Sequence, residues 1–128
     1  MTGLDSSALV KLIVAEHESK GLRAYLRGRP ERVSCGLARA EVPRAVRNQG
    51  PKAVRRAKAV LAHIHLLRLD DALLDAAGEL DPAVPRGLDA IHLAAARTLG
   101  DSLEAVVTYD KRMADAALLL GLPVSAPS

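Results

Sequence analysis

Two spacings of apolar residues alternate along this chain. One is helical: Leu9, Val10, Leu12 and Ile13 fall on one face of a segment that runs to about Val14, with Ser6 or Ser7 placed to cap its start. The other is the short buried run, as in Arg32–Cys35 (RVSC), His65–Leu69 (HLLRL) and Ala105–Thr108 (AVVT), which reads as strand. Thr2–Asp5 (TGLD) reads as a first strand ending at Asp5, and Leu122–Ser125 as an edge strand. Further helices are expected over Glu18–Arg27, closed by Gly28 and Pro30, and over Leu37–Asn48. Gly50-Pro51 restarts a basic helix that ends near His63; Asp70–Glu79, Leu88–Leu99 and Lys111–Leu120 follow, the last stopped by Gly121. Asp81-Pro82 and Pro85-Arg86-Gly87 read as a loop.

Strands that alternate with helices imply a parallel sheet covered on both faces, an α/β architecture. In such sheets the chemistry collects at the carboxyl ends of the strands. Asp5 ends the first strand and Asp110 lies just beyond the fourth, so two carboxylates from opposite ends of the sequence are expected on one edge.

With 128 residues, 49% of them hydrophobic, the chain fits one domain over 1–128 with a real core and is not a disordered segment. That core lacks Phe and Trp; Leu, Val, Ile and Ala fill it, with Tyr25 and Tyr109 the aromatic residues. A single cysteine, Cys35, excludes an internal disulfide and a zinc framework and fits a reducing compartment. Asp5 and Lys11 interrupt what would be the apolar centre of a leader peptide, and no apolar stretch reaches 18 residues. A cytoplasmic protein without a membrane segment is expected.

The net charge of +3 conceals a strong asymmetry. Residues 20–58 carry twelve Lys or Arg against Glu31 and Glu41, whereas ten of the fifteen acids lie between Asp70 and Asp115. The basic half suits a polyanionic partner, although solvated helix faces would produce the same count.

Four acids are poorly explained as surface residues. Asp5 sits between Leu4 and the serines, where a helix cap is its plainest role. Glu41 lies in a basic segment within reach of Arg44, its plainest partner at i+3. Asp89 opens the apolar helix AIHLAAA, where it favours the positive helix end. Asp110, in VVTYDKR, stands where a buried strand gives way to a helix. Each plain role suffices singly; four acids at strand–helix junctions or early in helices point together to a hard cation such as Mg²⁺, which takes oxygen ligands and holds crowded carboxylates in one place.

LDSSALVKL, ARAEVPRA, GLDAIHLAAA and VVTYDKRMADAALLLGLPV, in this order and spacing, resemble the signature blocks of PIN domains, and in flavour those of VapC-type toxins of bacterial toxin–antitoxin pairs. The resemblance spans nearly the whole chain. It implies a PIN-like α/β/α sandwich with a short central parallel sheet, a homodimer, endoribonuclease activity dependent on Mg²⁺ or Mn²⁺, and a small cognate VapB-like antitoxin that blocks the site. Carried over by position, Asp5, Glu41, Asp89 and Asp110 are the acidic quartet, Ser7 the small polar residue near the first acid, and Thr108 the hydroxyl before the last. Asp115 matches an auxiliary acid one helical turn on. Two positions depart from the family pattern. Gly3 replaces a bulky apolar residue and is expected to weaken the first strand. Pro43, two residues after Glu41, is expected to bend its helix or delay its start.

On this reading Asp5 and Asp89 bind metal directly or through water, and Glu41 and Asp110 complete the shell. Ser7 and Thr108 orient water or ligands, and Arg39, Arg44, Arg47, Lys52 and Arg55 hold the RNA backbone. His92 shares the helical face of Asp89 but reads as a packing residue, Cys35 as a small core residue, and His63 and His65 as surface residues. An aspartyl phosphatase would want a second Asp two residues after Asp5, where Ser7 stands. A receiver domain would want an acidic pair that is missing, and there is no glycine-rich phosphate loop. The remaining rival is a non-catalytic PIN-like module that binds RNA or protein without cutting.

Overall fold

The computed structural model describes residues 1–82, 84 and 86–128; Pro85, in the expected loop, lies outside them. Five strands form one sheet in the order β3-β2-β1-β4-β5, every pair parallel. They are β1 (Thr2–Leu4), β2 (Arg32–Cys35), β3 (His65–Leu67), β4 (Ala105–Val107) and β5 (Val124–Ser125). Between them run α1 (Ser6–Ile13), α2 (Ser19–Leu26), α3 (Ala38–Val46), α4 (Pro51–Leu61), α5 (Asp71–Gly78), α6 (Gly87–Arg97) and α7 (Lys111–Leu119).

The alternation of side chains along each strand decides which helices cover which face. Leu4, Leu66 and Val107 point to one side, where Ala8, Leu9 and Ile13 of α1, Leu22 and Leu26 of α2, Val42 and Val46 of α3 and Ala57 and Leu61 of α4 pack on them. Cys35 and Leu67 point to the other side, against Leu73 and Ala77 of α5 and Ala90, Ala94 and Ala95 of α6. Leu93 of α6 meets Met113, Ala116 and Ala117 of α7. The alanines of α6 are small enough to bring that helix close to the strands, which explains how a core without Phe or Trp closes. The result is the expected α/β/α sandwich.

The chain leaves β1 towards β2 and β3, then returns to place β4 on the opposite side of β1. The sheet order therefore reverses between β1 and β4, and the crevice at such a reversal, beyond the carboxyl ends of the strands, is where α/β sheets hold ligands. Asp5 follows β1 directly, and Thr2, Gly3 and Leu4 pair with Ala105, Val106 and Val107, so Asp5 and Thr108 emerge side by side.

Gly3 does not weaken β1, which is the central strand, paired to β2 and β4 at once. A Cβ at Gly3 would lie 3.3 Å from Leu103 Cδ1 and 3.5 Å from the Ala105 carbonyl oxygen, so the strand is bare there because Leu103 packs down onto it. Pro43 lies inside α3 without ending it; the helix continues to Val46 and passes into a 3₁₀ turn over Arg47–Gln49. The strand β3 stops at Leu67, two residues before the expected end, and Gly100–Ser102 forms a second 3₁₀ turn that the pattern did not announce.

Candidate active site

Asp5 is the anchor of the crevice. It, rather than Ser6 or Ser7, is the N-cap of α1: its Oδ1 accepts the Ala8 N–H at 3.0 Å. The same oxygen accepts the Ser7 hydroxyl at 2.6 Å, and Oδ2 accepts the Thr108 hydroxyl at 2.5 Å. Ser7 Oγ in turn accepts the Tyr109 N–H at 3.0 Å, and Thr108 Oγ1 accepts the Asp110 N–H at 3.1 Å. Two hydroxyls thus tie the end of β1 to the loop after β4, with every proton assigned a recipient. Asp5 is 5% exposed. Burial pushes its carboxyl above the usual value, against the hydrogen bonds from Ser7, Thr108 and the Ala8 amide and the nearby charge of His92.

Asp110 is exposed and caps α7, its Oδ1 accepting the Arg112 N–H at 2.9 Å. Asp89 lies in the first turn of α6, and its Oδ2 is buried with no hydrogen-bond partner. Burial raises the Asp89 pKa and the charge of Asp110 raises it further; Arg86 and His92 pull it back, and Asp5 adds to the rise. Asp89 therefore feels the charges of both Asp110 and Asp5, although the three arrive from α6, the end of β4 and the end of β1.

Glu41 has a different partner from the one its sequence neighbourhood offers. Its Oε1 accepts His92 Nε2–H at 2.6 Å and the Ser6 hydroxyl at 2.7 Å; the ion pair is with His92 on α6, not with Arg44. The hydrogen bond from His92 holds the Glu41 pKa down, against burial, with Ser6 and the charge of His92 assisting. Cys35 Sγ lies 3.3 Å from His92 Nδ1. Burial alone would lower the His92 pKa, yet the bonds to Cys35 and Glu41, and their charges, push it up to about 10. The His92 side chain is largely covered, as a packing residue's would be, but it is a polar hub. Its spacing of three residues from Asp89 was the signal; the partner Glu41 lies 51 residues away and no local pattern announces it.

The donor set suits a hard cation. Each carboxylate oxygen has two lone pairs, so the bonds above leave capacity at Asp5 Oδ2, the second oxygens of Asp110 and Glu41, and above all Asp89 Oδ2. An unpaired carboxylate oxygen that is buried and raised in pKa by other acids is the condition a cation relieves. Among the described residues, no three His, Cys, Asp or Glu side chains are already drawn to metal-ligand distance. Asp115 is exposed in the middle of α7, a turn beyond Asp110. Arg39, Arg44, Arg47, Lys52 and Arg55 are all exposed, on α3, α4 and the turn between them.

Residues 4–119 match the PIN-domain family. Over 125 residues the chain is 56% identical to Ribonuclease VapC46 of Mycobacterium tuberculosis, a match covering 98% of this chain and 96% of that one. It is 40% identical over 131 residues to Ribonuclease VapC35 of the same organism, covering 99% of this chain and 97% of the other. Among solved structures, the crystal structure of M. tuberculosis VapC20, a Sarcin-Ricin loop cleaving toxin, matches with a TM-score of 0.73 over 91% of this chain and 95% of that chain. At 16% identity that likeness speaks to the fold alone.

Proposed function

The chain belongs to the PIN-domain family, and from that premise we propose that it is a VapC-type toxin, a single-domain endoribonuclease that cuts RNA at the carboxylate crevice between β1 and β4. The observation that carries the reading is the buried, unpaired Oδ2 of Asp89, raised in pKa by burial and by Asp110 and Asp5. A fold does not keep such an oxygen for stability, because it costs roughly 1–3 kcal/mol to bury a polar atom unpaired.

Asp5, Asp89 and Asp110 would hold Mg²⁺ or Mn²⁺, with Glu41 completing the shell and Asp115 auxiliary. When bound, the metal supplies an activated water and neutralises charge on the phosphate. The protein's own part is orientation. Thr108 and Ser7 donate to the two oxygens of Asp5 and fix its plane, while their acceptance of the Asp110 and Tyr109 N–H groups holds the loop after β4 against β1. The exposed Arg39, Arg44, Arg47, Lys52 and Arg55 supply phosphate contacts. With both tyrosines already under cations, Lys11 over Tyr109 and Arg29 over Tyr25, RNA is held by its backbone rather than by stacked bases. No helix among the described residues is long and apolar enough to cross a membrane, and we place the protein in the cytoplasm, as a homodimer held inactive by a VapB-like antitoxin.

The test is cleavage of total RNA by purified protein freed of any co-purified inhibitor, with Mg²⁺ or Mn²⁺ against EDTA, beside Asp89→Asn. Discrete products that need metal and vanish in the variant are expected. A folded protein that cuts under no metal would instead be a binding module.

A further inference from the structure

Among the acids of the crevice, Glu41 alone is held by side chains from two other helices. Ser6 opens α1 and donates to Oε1 at 2.7 Å; His92 stands in α6 and donates to the same Oε1 at 2.6 Å. These helices lie on opposite faces of the sheet, so the two donors meet only over its carboxyl edge. His92 is itself braced, with Cys35 Sγ at the end of β2 lying 3.3 Å from Nδ1, and 8% of its side chain is exposed. Its ring therefore has a contact on each nitrogen and little room to turn.

This arrangement divides the Glu41 carboxylate. Both donors engage Oε1, and no hydrogen bond to Oε2 occurs among the described residues. Glu41 is also half-buried, with Oε2 still open to solvent and so to a ligand.

We propose that His92 is a positioning residue of this site: braced by Cys35, it shares Oε1 with Ser6 and so holds Glu41 with Oε2 as the one oxygen presented to the metal or its bound water. The inference rests on the metal-site reading above and assigns a part to a residue that contacts no substrate. Outer partners of metal-binding carboxylates act in this way, and their loss costs about 10- to 100-fold in metal affinity or activity. Without His92, Glu41 keeps only the rotatable hydroxyl of Ser6 and presents either oxygen.

The experiment compares the full chain with His92→Ala, His92→Gln, Glu41→Gln and the double variant His92→Ala/Glu41→Gln. Mn²⁺ binding is measured by calorimetry, RNA cleavage by steady-state kinetics and folding by metal-free melting. His92→Ala is expected to weaken Mn²⁺ binding and lower kcat by about 10- to 100-fold, leaving KM for RNA unchanged. His92→Gln, which keeps an N–H for Oε1, should recover most of both, and the double variant should be no weaker than Glu41→Gln alone, because one residue acts through the other. Parental Mn²⁺ affinity in a folded His92→Ala protein, whatever its melting temperature, overturns the proposal; so does a double variant whose losses add, or a Gln variant no better than Ala. Asp89→Asn separates the two readings. If it binds Mn²⁺ and cuts RNA as the parent does, the metal site falls and this inference with it. If it loses both while His92→Ala keeps both, only the part given to His92 falls.

Discussion

Asp89→Asn is expected to stabilise the metal-free protein while removing its activity. Asp89 Oδ2 is buried without a partner, and its negative charge is opposed by Asp110 and Asp5. An unsatisfied buried polar atom costs roughly 1–3 kcal/mol, more if charged. Asn still leaves a polar atom there without a partner, so the gain comes from removing the opposed charge, and in a partly buried group it should be about 1 kcal/mol. In a domain of this size that is a rise of about 4 °C in Tm. Divalent metal reverses the order: at a hundredfold excess over Kd, binding to the native state adds about 2.7 kcal/mol to the parent, roughly 10 °C, and little to the variant. The assay is thermal melting of both proteins in EDTA and then in excess Mn²⁺.

The sign of the pH dependence follows from the direction of the shifts. Asp5 and Asp89 titrate above the ordinary carboxylate value of 3.8 when folded, so the native state holds their protons more firmly than the unfolded chain. Their stabilising contribution is complete below that value and is lost as pH rises through the folded pKa. The advantage of Asp89→Asn should accordingly be absent in acid, below the ordinary carboxylate range, and grow as pH rises through the folded pKa of Asp89. If the variant melts below the parent in EDTA at neutral pH, or gains as much from Mn²⁺ as the parent does, the reasoning about the orphaned oxygen is wrong.

Thr108→Val preserves shape at a fully buried site but deletes the donor to Asp5 Oδ2 and the acceptor of the Asp110 N–H, so a loss of about 2 kcal/mol, near 8 °C by calorimetry, is expected together with weaker cleavage. Reversing Arg44, Lys52 and Arg55 to Glu should raise KM for RNA and flatten its salt dependence with kcat less affected, as a KCl titration would show; an unchanged slope would remove these residues from the RNA path. Gly21→Ala puts a Cβ 2.2 Å from the Ser128 carbonyl carbon and should lift the last residues from α2, breaking the bond from Tyr109 Oη–H to the Pro127 carbonyl; faster amide exchange over 124–128 is the readout, and unchanged protection would count against that packing.

What the sequence disclosed is what is local in physical origin. RVSC is β2 residue for residue, because a short apolar run between a basic turn and a helix has few other places to go. The helices end within a few residues of their expected limits because Gly28, Gly50 and Gly121 stop or start them at positive φ. Long-range packing was hidden. That β1 is central, so that Gly3 is an accommodation to Leu103 rather than a weakness, depends on Leu103 being a hundred positions away. The pairing of Glu41 with His92 was hidden for the same reason: Arg44 was the nearer candidate in sequence, but α6 comes to the site from the far side of the sheet.

The plain and functional roles of the acids look like competitors in the sequence, since a capping aspartate needs no metal to explain it. In the folded chain they are divided between the oxygens of one group. Asp5 caps α1 through Oδ1 and leaves Oδ2 to Thr108 with a lone pair spare. Asp110 caps α7 through Oδ1, and Glu41 takes both its donors on Oε1. In Asp110 and Glu41 one oxygen fixes the group to the fold, in Asp5 both do, and the capacity that remains is free for chemistry. Asp89 Oδ2 takes no donor at all, which leaves its whole capacity open. A cap is therefore no argument against a ligand: anchoring through one oxygen is what allows a short aspartate at a strand–helix junction to present the other with little freedom to turn away.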